Sequence, residues 1–203
     1  MNKFKSSMKV TKRIYRTHGD KFMRKLFLPI LIAAIILSLA ACDAVTAVSA
    51  DSSTPAGSVS LVDVTTEQGV SIKLPSDMPL QKIQGNSIYL NTETGDSAVF
   101  LVSDTVSPLT EWTKEKVAET YKLKYDGVVI KSFENGNQIN GKDALVAILD
   151  LTTPKGSAVT MALVMITDGK KLYTITLGYG RDKTEGSLAI NLQTCIESIT
   201  IPE

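Results

Sequence analysis

Two apolar runs set the terms for any fold of this 203-residue chain. Ala144 to Leu151 begins with six consecutive apolar residues, and Val159 to Ile166 is again mostly apolar. A strand with one wet face alternates apolar and polar side chains. An unbroken apolar run belongs to a strand covered on both faces. Pro154-Lys155-Gly156-Ser157 lies between the runs and makes a hairpin, so the two strands are antiparallel neighbours. A sheet built on them needs a layer against each face.

Flanking segments supply the rest. Val70, Ile72 and Leu74 alternate with Ser71 and Lys73 up to Pro75 and predict an opening strand. Ser87 to Asn91 and Ala98 to Val102 predict two more, joined through Gly95-Asp96. Val128 to Phe133 predicts the strand before the Asn140-Gly141 turn. Asp168-Gly169 predicts a tight hairpin into Leu172 to Tyr179. Ser58 to Val64 could add an edge strand.

Two helices are predicted. Ser107-Pro108 reads as a cap followed by proline at the first helical position, opening Leu109 to Tyr125. Val117, Tyr121 and Tyr125 recur there at four-residue spacing, with Trp112 beside them. Asp182-x-x-Glu185 resembles a capping box opening the last helix, whose apolar stripe is Leu188, Leu192, Cys195, Ile196 and Ile199. The expected fold class is α+β: a mainly antiparallel seven-stranded sheet in the order βββ-α-ββββ-α, with one helix on each face.

The N-terminal region has a different logic. Arg24-Lys25 precedes an uncharged apolar run, Leu26 to Ala41, closed by Cys42. The run is shorter than the roughly 20 residues a membrane-crossing helix needs. Pro29 within it would weaken a permanent helix. Basic end, apolar middle and small residues form the layout of a secretory signal peptide. Leu39-Ala40-Ala41-Cys42 resembles the lipobox of bacterial lipoproteins. That resemblance implies cleavage between Ala41 and Cys42 and a diacylglycerol thioether on Cys42. The alternative is an uncleaved anchor, and both place the remaining chain outside the cytoplasm. Residues 1–22 are rich in Lys and Arg without apolar periodicity, so translation could start at Met1, Met8 or Met23.

The expected organisation is a signal peptide with basic extension over 1–41, a lipidated cysteine with a Ser/Thr/Ala-rich tether over 42–68, and a globular domain over 69–203. A tether of about 20 residues spans on the order of 25 Å. Residues 1–41 hold nine of the 22 basic side chains and one of the 21 acids, so the remainder carries a formal charge of −7. Repulsion from nucleic acid and from anionic headgroups follows, and no nucleic-acid partner is expected.

Chemistry is thin. The only histidine, His18, precedes Cys42, which removes Ser-His and Cys-His catalysis and histidine-based zinc sites from the mature chain. With Cys42 lipidated, Cys195 has no disulfide partner, and its helical position reads as a buried, inert thiol. Gly178-Tyr179-Gly180 has glycines like a dinucleotide loop but lacks the βαβ context, and reads as a strand-to-helix turn. Asn91-Thr92-Glu93-Thr94-Gly95-Asp96 offers oxygen ligands at alternate positions but lacks the distant glutamate of a calcium loop; an exposed turn is the simpler reading. No catalytic residue, metal ligand or cofactor is assigned. Trp112, Tyr121, Tyr125, Tyr173 and Tyr179 form an interaction patch if exposed together, and core packing otherwise.

The order of elements resembles the PsbP-like fold, the group that includes PsbP, the Mog proteins and the DcrB-like bacterial lipoproteins. The resemblance runs from Gly69 to Ile201. It is carried by Gly69-Val70-Ser71-Ile72-Lys73-Leu74-Pro75, by Asn140-Gly141-Lys142-Asp143-Ala144 and by Ile196-Glu197-Ser198-Ile199. Ser76-Asp77-Met78-Pro79 stands where many relatives carry an aromatic. The family has no shared active site, and its known members bind other proteins. The resemblance therefore implies a non-enzymatic, membrane-anchored extracytoplasmic lipoprotein that binds or supports another envelope protein. The alternative is a lipoprotein that binds a small ligand or ion between helix and sheet. A carboxylate-dependent hydrolase stands third, and would need two acids facing each other across a cleft.

Overall fold

The computed structural model describes residues 59–83, 86–104 and 108–203. Among them are nine strands: β1 (Leu61–Thr65), β2 (Ser71–Pro75), β3 (Leu80–Ile83), β4 (Asn86–Leu90), β5 (Ser97–Ser103), β6 (Asp126–Ile139), β7 (Lys142–Thr152), β8 (Ala158–Thr167) and β9 (Leu172–Gly180). A 3₁₀ turn (Leu109–Glu111) and α1 (Lys114–Lys122) separate β5 from β6, and α2 (Ser187–Glu197) follows β9. Seven strands form one sheet in the order β3-β4-β5-β9-β8-β7-β6, every neighbouring pair antiparallel.

The two apolar runs are the inner strands β7 and β8 of that sheet, β8 beside the central β9 and β7 beside the edge strand β6, and they feed two cores by alternation. Ala144, Ala162, Val164, Ile166, Ile175 and Leu177 point to the α2 side. Leu145, Ala147, Leu149, Leu151, Met161, Leu163 and Met165 point to the α1 side. The predicted α+β class, with a helix against each face, is the observed one. Each large apolar side chain buried this way contributes about 1.5–3 kcal/mol over exposure.

α1 covers its face with Val117 and Tyr121, and its flanks add Trp112 and Tyr125, all nearly fully buried. On the other face α2 presents Leu188, Cys195 and Ile196, and Ile199 follows. There β1 and β2 form a separate antiparallel ribbon that completes the layer through Val70, Ile72 and Leu74. The Lys73 amide donates to Ser198 Oγ at 2.8 Å, and Ser71 bridges to Thr200, so β2 is fastened to the end of α2.

Several boundaries differ from the sequence expectation. The opening strand, β2, is not in the main sheet; β3, a short strand with an exposed Leu80, takes the seventh place. β1 pairs with β2 over its whole length, so paired backbone begins at Leu61, ahead of Gly69. β6 continues well past Phe133. Its Glu134-Asn135-Gly136-Asn137 stretch has the composition of a loop, yet it stays paired through a register shift at Gly136, whose φ is 95°, one of three such shifts along β6. Ser107 lies outside the described residues. The helix predicted from Leu109 instead begins at Lys114, because Trp112 is extended and Asn135 Nδ2 holds the Leu109 and Trp112 carbonyls at 2.7 and 2.9 Å. Thr113 is the true cap, its hydroxyl accepting from the Lys116 amide at 3.2 Å. The hairpin after β8 takes four residues, not two, since Asp168 Oδ1 accepts from the Lys170 and Lys171 amides. Asn140-Gly141 turns as predicted, with φ of 48° and 77°.

Candidate functional site

The aromatic patch does not exist as a surface. Trp112, Tyr121, Tyr125 and Tyr173 are buried, and Tyr179 is half-buried against the α2-side core. Tyr121 and Tyr125 stack at 6.0 Å, and burial raises both phenols well above their ordinary pKa. The packing alternative is what the molecule uses. Cys195 is fully buried, and burial pushes its thiol up to about 11, as an inert core cysteine requires. Ala41 and Cys42 lie outside the described residues.

What the surface does offer is a groove. α2 and the β1–β2 ribbon cover the β9 side of their face and leave β6 and β7 partly bare. Val146 and Ile148 form the floor, with Leu192 and Ile196 of α2 as one wall, enclosing about 480 Å³. Ile190 stands at the rim 68% exposed. Glu134 and Glu197 also border the groove, and no lysine or arginine lines it. Sequence reasoning missed it, because the alternation on β7 predicts a covered face and says nothing of how far a helix of 11 residues reaches.

A second concavity of about 620 Å³ lies where the β4–β5 turn, the β7–β8 hairpin and the β9–α2 connection meet. Arg181 and Lys183 line it, with Thr94, Thr153 and Ser157. Its polar groups are engaged in shaping the walls. Thr153 Oγ1 accepts from the Ser157 amide, Thr94 Oγ1 from the Asp96 amide, and Arg181 Nη2 donates to the Leu151 carbonyl. The Gly178-Tyr179-Gly180 segment is the end of β9, and the connection to α2 starts at Arg181.

The N-terminus of α2 is held in an unexpected way. Asp182 and Glu185 do not cap it; the helix begins at Ser187, and Gly186 at the cap position has no side chain to offer. Two carboxylates from distant turns take over. Asp96 Oδ2 accepts from the Leu188 amide at 3.3 Å. Asp77 accepts from Ser187 Oγ at 3.0 and 2.9 Å, and its Oδ2 from Asn91 Nδ2 at 3.0 Å. Asp96 is not part of an exposed turn, as the sequence suggests, but wholly buried; desolvation raises its pKa, its backbone and hydroxyl donors oppose that, and the Asp77 charge adds to it. Among the described residues, Asp96 Oδ1 has no hydrogen-bond partner. Asn91 Oδ1 is occupied by the Glu93 and Thr94 amides. No group of three or more His, Cys, Asp or Glu suited to a metal ion occurs among the described residues, and no helix there is long and apolar enough to cross a membrane.

No family model matches the chain, and no curated protein matches it in sequence. Solved structures do share its fold. The Ran-binding protein Mog1p of Saccharomyces cerevisiae overlaps with a TM-score of 0.51 at 14% identity, over 71% of this chain and 96% of that one. Cyanobacterial PsbP (CyanoP) of Synechocystis sp. PCC 6803 overlaps with a TM-score of 0.52 at 13% identity, over 75% and 98%. At this identity the likeness shows the fold, which is the PsbP-like arrangement expected from the order of elements.

Proposed function

We propose that this chain is a membrane-anchored, extracytoplasmic lipoprotein without enzymatic activity that binds another envelope protein through the groove beside α2. The groove carries the reading. It is a trough on a sheet edge with an apolar floor, an exposed isoleucine and an acidic rim; Asn137 and Gln193 donate to Glu134 and Glu197, but no lysine or arginine in the lining neutralises them. A segment with two or three apolar side chains flanked by lysine or arginine fits it, in the manner of helix-in-groove or added-strand recognition. The lipobox-like Leu39-Ala40-Ala41-Cys42 and the tether after it would hold the groove near the membrane with free orientation. One likeness is to a protein described as Ran-binding, a precedent for protein recognition on this fold. The cleft at Arg181 supports the small-ligand alternative less well, because its hydroxyls and guanidinium already serve its own turns. Hydrolysis needs accessible carboxylates, and Asp96 has no exposed surface.

The test is site-specific photocrosslinking in native membranes. A photoreactive residue at Ile190 should give one discrete adduct with an envelope protein. One at Leu123, exposed on the opposite side of the sheet, should not. Equal labelling from both positions, or none, removes the groove reading. Intact mass of the same purified protein should show a diacylglycerol-modified Cys42 as the first residue; a chain retaining residues 1–41 removes the anchor.

A further inference from the structure

The two carboxylates at the start of α2 present a problem of charge. Asp96 is fully buried, and its Oδ1 touches no donor among the described residues. Asp77 is bonded to Ser187, the residue next to Leu188 in the same first turn, and its charge is felt at Asp96. Among the described residues, neither acid belongs to an ion pair. A buried carboxylate oxygen without a partner costs roughly 1–3 kcal/mol, more when ionised. A buried acid beside a second one, with no cation between them, is stabilised by a proton or by a metal ion that joins the two. The helix field favours one anion at this position through the Leu188 amide, and the Thr94 and Ser187 hydroxyls also favour the charged form of Asp96, yet Oδ1 itself keeps no hydrogen-bond partner among the described residues.

The surroundings define which ion would suit. The facing groups are oxygens: both Asp77 oxygens, Asp96 Oδ1, Ser187 Oγ, with Thr94 Oγ1 nearby on the turn. No sulfur or imidazole is present to favour zinc or copper. Two negative charges balance a divalent ion. The ligands come from three separate segments, the β2–β3 connection, the β4–β5 turn and the first turn of α2, and the half-buried Asp77 leaves one side open to solvent ligands. Loose, oxygen-only geometry completed by water is what calcium accepts and magnesium resists. The turn Asn91–Asp96 lacks the distant acid that a calcium loop requires; folding brings Asp77, 19 residues before Asp96 in the chain, against Asn91 and Ser187 beside that turn.

We propose that Asp77, Asp96 and Ser187 form a calcium site that locks the start of α2 to the sheet and to the β2–β3 connection. With two carboxylates the site belongs to the weak class, half-saturated at about 0.1–1 mM, a concentration suited to an extracytoplasmic module. The site is independent of the anchor and of the groove, and its test does not involve a protein partner.

The experiment is thermal unfolding and calorimetric titration of the detergent-solubilised, chelator-treated full chain. Calcium should raise the melting temperature saturably and release or absorb binding heat with one site per chain. Asp77→Asn, which keeps the size and the contact to Ser187, should fold with an unchanged circular dichroism spectrum and bind at least tenfold more weakly. Asp96→Asn should do the same; if that variant fails to fold, Ser187→Ala supplies the second measurement. The proposal is overturned if folded wild-type protein shows no calcium heat and no shift up to ~10 mM. It is equally overturned if Asp77→Asn keeps the full calcium effect, or if potassium at equal ionic strength reproduces it. Stabilisation by acid alone, with no calcium effect, would assign a shared proton instead.

Discussion

The two helices face the same sheet from opposite sides and solve the covering problem differently. α1 has nine residues and takes its cap from its own neighbour, Thr113. It fills its side with aromatic volume: Trp112, Tyr121 and Tyr125, with Lys116 Nζ 5.0 Å from the Trp112 ring centroid. α2 has eleven residues, no aromatic and no side-chain cap of its own. It borrows Asp77 and Asp96 at its start, Asn140 Nδ2 on the Glu197 and Ile199 carbonyls at its end, and the β1–β2 ribbon for coverage. A short helix with large side chains closes a face. A longer one with aliphatic side chains and no aromatic leaves a groove, and its position depends on segments far away in the chain.

The contrast is broken most severely on the α1 side. Trp112→Ala should destabilise the domain by about 3–5 kcal/mol, since it empties a buried aromatic site, measured by the urea midpoint at constant slope. Leu188→Ala, at the buried start of α2, should cost about 2–4 kcal/mol and should also expose the α2 amides first in hydrogen exchange, because its two caps are held by other segments. Thr113→Ala should cost about 1 kcal/mol and fray α1 alone.

A pH series separates the buried acid at the start of α2 from the exposed acid of the β8–β9 hairpin. The folded-state pKa of Asp96 lies above its ordinary value, so the native state binds that proton more readily than the unfolded chain. Its contribution is complete below the ordinary carboxylate pKa and is lost as pH rises through the folded value. Asp168, held low by the Lys171 and Lys170 amides, has the opposite sign: its contribution exists above the ordinary range and fades as pH falls. In chelator-treated protein, Asp96→Asn should therefore flatten the decline in stability toward neutral pH, while Asp168→Asn should flatten the decline toward acid. The smallest effect belongs to the groove. Ile190→Asp should change stability by no more than about 0.5 kcal/mol, so any loss it causes of crosslinking from a photoreactive residue at Gln193, which also lines the groove, reports binding and not folding.

How much of this was legible follows the range of the interactions. The strands β7, β8 and β9 could be read because alternation and unbroken apolar runs are local consequences of burial. So could the Asn140-Gly141 turn, whose φ values only a few residue types adopt easily, and the buried stripe of α2. The α1 start could not be read from Ser107-Pro108, because Asn135, in a strand still to come, fixes Leu109 and Trp112. β6 could not be read to its end, because bulges hide a strand under loop-like composition. Asp77 and Asp96 gave no sign of meeting at one helix end: each looks like an ordinary turn residue, and helix capping from 92 residues away leaves no local pattern.

By itself, then, the sequence determined the inner strands β7, β8 and β9, the presence of two helices, that the sheet is covered twice, and that a signal-like run precedes Cys42, since each of these is written in hydrophobic periodicity and turn chemistry within a few residues. The tertiary structure alone decided that β2 leaves the sheet for β3, that α2 stops short of β6 and β7 to leave a groove, and that two acids share the start of α2. Those outcomes depend on where separate segments meet, and a meeting between distant residues is set by the summed packing of the whole domain.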